Sequence, residues 1–104
     1  MSQQPESRLQ RKIVEILKTE VGGWWTKVHG GPYQVSGIPD LLGCVNGRFI
    51  SLEVKRPGNK PTVRQLYVIQ ALQDNGAVAG IVHSPEEALA LLKEVGIYGK
   101  KEES

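Results

Sequence analysis

The sequence predicts an α/β domain in which a mixed sheet is flanked by helices in the order αβββαβα. Two observations carry that prediction. Apolar residues recur at helical spacing in the first and last segments. Between them, two apolar runs are separated only by Asn46-Gly47, which is the strongest short-range signal for a β-hairpin. A hairpin followed by a helix and a further strand requires a sheet of mixed direction with helices packed on it.

The first helix spans Pro5 to about Val21. Leu9, Ile13, Ile16 and Leu17 form its stripe, Pro5 suits its first turn, and Gly22-Gly23 stop it. Trp24 to His29 is expected as a strand, since Trp, Thr and Val favour pleated surfaces. Of the adjacent Trp24 and Trp25, alternation sends one inward and the other outward, where it can anchor a dimer interface or lie under a helix. Gly30 to Gly37, with Pro32, Tyr33 and Gln34, is a loop able to drape over a substrate. Ile38 to Val45 and Arg48 to Lys55 are the hairpin strands, with Cys44 expected as a small buried residue. Pro57 to Pro61 is a loop, a second helix starts near Thr62, and Ala77 to His83 is the last strand. Ser84-Pro85-Glu86-Glu87 opens the third helix as a capping box, and Ala88, Leu91, Leu92 and Val95 mark its buried stripe. Residues 1–98 read as one domain and 99–104 as a polar tail; a length of 104 residues leaves no room for a second catalytic domain.

Composition bounds the chemistry. Hydrophobic residues at 39% and charged residues at 23% are those of a self-folding globular chain. Cys44 is the only cysteine, so no internal disulfide forms and no Cys/His zinc cluster exists, and a reducing cytoplasm is the expected compartment. No apolar run reaches the ~20 residues that cross a bilayer. A net charge of +2 is too small for an overall basic field, so any nucleic-acid site must come from local placement. Arg56, Lys60 and Arg64 cluster in sequence with Lys27 and His29 upstream, whereas Glu86, Glu87, Glu102 and Glu103 lie C-terminally.

The hairpin brings acids together. With Asn46-Gly47 as a two-residue turn, Val45 pairs with Arg48, and the same register sets Asp40 opposite Glu53. Alternation places Phe49, Ser51, Glu53 and Lys55 on one face, so Asp40, Glu53 and Lys55 converge at one end of it. Like charges facing across a sheet repel, and a divalent cation between two hard carboxylates would turn repulsion into coordination. A surface hairpin on which Lys55 merely neutralises Glu53 has the same pattern, so register alone leaves both readings open.

Gly37-Ile38-Pro39-Asp40 followed by Glu53-Val54-Lys55 resembles the PD-(D/E)XK nuclease superfamily, and most closely its VRR-NUC family. Gly47-Arg48-Phe49, Pro61-Thr62-Val63-Arg64-Gln65 and Asn75-Gly76-Ala77 extend the resemblance to nearly the whole chain, from about Glu6 to Leu92. It implies a restriction-endonuclease-like fold and phosphodiester hydrolysis with Mg2+ or Mn2+ as cofactor and no organic one. Asp40, Glu53 and the backbone carbonyl of Val54 would then hold the metal and Lys55 would be the catalytic lysine. The chain is also similar to small Holliday-junction resolvases, which implies a homodimer acting on branched DNA in a bacterial cell, often phage-encoded. A monomeric flap nickase or exonuclease, or a binding module without catalysis, are the other readings.

Three assignments rest partly on the resemblance. Thr62-x-x-Gln65 is a capping box, but Gln65 also shares a stripe with Ile69 and Leu72 that faces the carboxylates, and a role in the site is favoured. On the first helix the resolvases carry a metal-reaching glutamate where this chain has Gln10; Glu6, one turn earlier, is expected to supply the carboxylate with Gln10 in support, and Glu15 to face solvent. Arg56, Lys60, Arg64, Lys27, His29 and Tyr33 are the expected DNA contacts.

Overall fold

The computed structural model of the chain describes residues 5–28 and 36–99. The element order is α1 (Pro5–Glu20), β1 (Trp24–Lys27), β2 (Leu41–Val45), β3 (Arg48–Val54), α2 (Val63–Asp74), β4 (Val78–Val82) and α3 (Pro85–Glu94). The strands form one sheet in the order β1-β2-β3-β4, antiparallel across the first two junctions and parallel between β3 and β4. This is the expected α/β, restriction-endonuclease-like core.

The turn residues set the register. Asn46 and Gly47 both have positive φ, as a type I′ turn requires, and Val45 pairs with Arg48. Leu41 then meets Leu52, so the expected register holds along all of β2. This strand begins at Leu41 rather than Ile38 because Pro39 has no N–H to give a ladder.

Helices α1 and α3 pack on each other and on one face of the sheet. Ile13 and Leu17 from α1 and Ala88 and Leu92 from α3 close over Trp25, Leu41, Ile50, Leu52, Val54, Val78 and Val82. The hairpin also fastens α3: Arg48 Nη1 donates to the Val95 carbonyl at 2.7 Å, at the helix C-terminus where carbonyls lack intrahelical partners. Trp25 is the inward tryptophan, 4% exposed, with Nε1 donating to Gly22 O; Trp24 is the outward one at 62%.

Two sequence expectations change here. Cys44 is exposed, because it pairs with Trp24 on one side and Phe49 on the other, in a row on the face away from α1 and α3. The third helix is capped by Ser84, whose side chain accepts from the Glu87 N–H, but the Glu87 carboxylate does not complete a box on Ser84. It reaches one residue further back, to His83.

Candidate active site

The face opposite α1 and α3 is crossed by rows of side chains set by register. Thr26, Leu42, Ser51 and Ala79 form one row. The next holds Val28, Asp40, Glu53 and Ile81: the Val28 N–H donates to the Asp40 carbonyl, and Glu53 pairs with Ile81. Because Asp40 turns its main-chain carbonyl towards β1, its position opposite Glu53 is non-hydrogen-bonded, the kind that brings facing side chains closest. Asp40 Oδ2 instead accepts from the Val54 N–H at 2.9 Å, ending the β2–β3 ladder with a carboxylate.

Glu53 is 2% exposed. Its Oε2 accepts from Gln65 Nε2 at 3.0 Å and lies 3.6 Å from Lys55 Nζ, while its Oε1 is buried with no partner. Burial pushes the Glu53 carboxyl from 4.5 up to about 7, the negative charge of Asp40 adds to this, and Lys55 pulls the other way. The Lys55 side chain is itself 13% exposed. This is not a solvated hairpin surface on which a lysine neutralises a glutamate, because the ion pair lies inside the molecule.

Gln65 does both things that its position allowed. Thr62 Oγ1 accepts from the Gln65 N–H, and Gln65 Oε1 accepts from the Thr62 N–H, completing the capping box. Its amide nitrogen is left to donate to Glu53. One side chain thus starts α2 and steadies the acid.

The donor set fits a divalent cation. Two facing carboxylates, one with a buried oxygen lacking a partner, present hard ligands whose mutual repulsion a cation removes. A strand residue's N–H and C=O point to the same side, so the Val54 carbonyl is directed towards Asp40, as its N–H is. Among the described residues no group of three or more His, Cys, Asp or Glu side chains gathers to hold a metal. Glu6 therefore does not join Asp40 and Glu53; its Oε2 accepts from Asn59 Nδ2 at 3.3 Å, tying α1 to the loop after β3. Gln10 is half-buried on the same helix and Glu15 is exposed.

The expected DNA contacts divide. Arg56 and Lys60 are exposed in the loop leaving β3, Arg56 directly after Lys55. Arg64 is exposed but engaged, donating from Nε to the Ser36 carbonyl at 3.3 Å and lying over the Tyr67 ring. Lys27 shares strand parity with Trp25, and its partner Leu41 faces the core, so its position belongs to the α1 side rather than the carboxylate face. His29 and Tyr33, with Gln34 and most of the Gly30–Gly37 loop, lie outside the described residues.

Sequence reasoning passed over His83. The Lys55 N–H donates to the Val82 carbonyl at 3.0 Å, extending the parallel ladder by one step and setting Lys55 beside His83. The signal was available: each follows directly on a strand's final valine, and the two strands are joined by one helix.

No sequence-family model matches the chain, and no curated protein matches it significantly. Solved structures do, among them the following two. One, described as "VRR_NUC domain", is 29% identical, with a TM-score of 0.70, over 85% of this chain and 94% of that one. At that identity and coverage the chain is similar to a VRR-NUC domain in sequence as well as in fold. The other, a "VRR_NUC domain protein", is 17% identical with the same TM-score, over 94% of this chain and 93% of that one, and shows the shared fold. The VRR-NUC resemblance seen in the Gly37-to-Lys55 motif thus extends to the architecture that carries it.

Proposed function

We propose that the chain is a divalent-metal-dependent endonuclease that hydrolyses the phosphodiester backbone of DNA, acting as a homodimer on branched structures such as four-way junctions. The observation that carries this reading is the buried Glu53 facing the half-buried Asp40, with Lys55 drawn in beside it, on a fold shared with a VRR-NUC domain.

Asp40, Glu53 and the Val54 carbonyl would hold Mg2+ or Mn2+, with the open positions left to water and phosphate oxygens. Such an ion supplies Lewis acidity at the phosphate and lowers the pKa of a water. The residues do the rest. Gln65 fixes the Glu53 carboxylate from α2, and the Val54 N–H fixes that of Asp40. Lys55 places a positive charge next to Glu53, where it can orient the attacking water and offset charge growing on phosphorus during in-line displacement. Arg56 and Lys60 give the flanking phosphates exposed cations. Two copies related by a two-fold axis suit a substrate with two equivalent strands. The exposed Trp24 and Phe49, with Cys44 between them, are of the kind enriched where copies meet.

The test is a panel of junction, flap, duplex and single-stranded DNAs with Mg2+ or Mn2+. The expected result is paired incision of junctions, abolished in Asp40→Ala and Lys55→Ala proteins that still bind. Cleavage unchanged in either variant would overturn the site. Preference for flaps by a protein sedimenting as a monomer would replace the junction reading with a nickase, and binding with no metal-dependent cutting would leave a DNA-binding module.

A further inference from the structure

The two parallel strands, β3 and β4, end side by side. Lys55 follows the first and His83 the second, and in open α/β sheets ligands approach the carboxyl ends of strands. His83 is not left loose there. Its main-chain N–H donates to Glu87 Oε1 at 2.9 Å, and its Nδ1 meets the same oxygen at 2.9 Å. Glu87 is held below the usual carboxylate range by these His83 contacts. The helix does not need them as its cap, because Ser84 already accepts from the Glu87 N–H. The result is an imidazole, its side chain 34% exposed, oriented by a carboxylate through one nitrogen.

The geometry points to the His83–Glu87 pair as a further phosphate contact for the DNA backbone, beside Lys55 at the mouth of the site. This rests on the nuclease reading above. With Nδ1 committed to Glu87, Nε2 is the nitrogen a ligand can take, and a protonated ring donates from both at once, one bond to the carboxylate and one to a phosphate oxygen. Glu87 fixes the ring's direction, as second partners do for histidines at ligand sites. Together with Arg56 and Lys60 on the loop after β3, His83 extends the row of candidate phosphate contacts from the end of β3 to the end of β4. His83 is a positioning and affinity residue, distinct from the carboxylates and lysine that act on the scissile phosphate.

The experiment measures binding of a fluorescein-labelled four-way junction and a labelled duplex by anisotropy, from 50 to 200 mM salt. Lys55→Ala serves as parent so that the DNA stays intact, and it is compared with the parent carrying His83→Ala, His83→Gln or His83→Arg. Losing one phosphate contact should weaken binding about 5- to 10-fold at low salt and reduce the slope of log affinity against log salt by about 1. His83→Arg should restore both, which a purely structural role for His83 would not produce. Equal affinity and equal slope for parent, Ala and Gln proteins would overturn the inference while leaving the nuclease reading intact. A parent that binds neither DNA would overturn both, and failure of His83→Arg to recover the affinity and salt slope lost in His83→Ala would assign the pair to a structural role alone.

Discussion

The Glu53→Gln protein is expected to lose cleavage by at least about 1000-fold and yet to melt later than the native chain above pH 7. Both effects come from one carboxylate. Its folded-state pKa of about 7 lies above the unfolded value of 4.5, with burial the main cause and Asp40 the next. Between those values the folded chain holds a proton that the unfolded chain releases, so stability falls as pH rises through about 4.5 to 7 and stays low above it. Glutamine carries no charge, and its amide oxygen can still accept from Gln65, though it forfeits the pair with Lys55. The net gain at pH 8 is on the order of 2 kcal/mol, or about 10 °C in melting midpoint for a domain of this size. Mn2+ should raise the midpoint of the native chain and leave the variant's unchanged, since only a folded-state ligand site responds to a ligand. Thermal melts at pH 5 and pH 8, with and without Mn2+, check all of this. A variant no more stable than the native protein at pH 8 would show that Glu53 carries no such strain.

Gly43→Ala is expected to be the most damaging single-methyl change in the sheet. Gly43 pairs with Trp25 across β1 and β2, and a Cβ there would run into the face of the indole ring, at Cε3 and Cζ3. That ring cannot step aside, because it is 4% exposed and tied through Nε1 to the Gly22 carbonyl. The backbone must shift instead, and overpacking of a closed core costs about 3 kcal/mol. A midpoint about 10 to 20 °C lower is expected by calorimetry, and Gly43→Ala should cost much less when introduced into a Trp25→Val background, since the two changes share one space. A melt within 2 to 3 degrees of native would mean, roughly, that the ring has another place to go.

How far the chain could be read from sequence follows from which interactions are local. The hairpin was legible because Asn46-Gly47 fixes a register that arithmetic extends to Asp40 and Glu53. Gln65 was legible as a choice between cap and site, and the choice was unnecessary, since its oxygen serves one and its nitrogen the other. Cys44 was misplaced because cysteine's usual preference for burial was set above strand parity, and parity decides which face a residue takes. Lys27 shows the same lesson, being grouped with other cations by sequence proximity although its position lies on the α1 side of the sheet. Glu6 and His83 depend on long-range placement. The bond from Asn59 to Glu6 joins the chain's first helix to a loop 53 residues later, and no periodicity announces it.

Gln65 also makes the start of α2 a listening post for the acids beneath it. Its side chain accepts from Thr62 and donates to Glu53, so anything that stiffens the carboxylate also restrains the main-chain amide of Thr62. Slowed hydrogen exchange at that amide would therefore signal occupancy of the site without any substrate being cut. A single resonance on the helix cap could follow events at an acid that solvent itself scarcely touches.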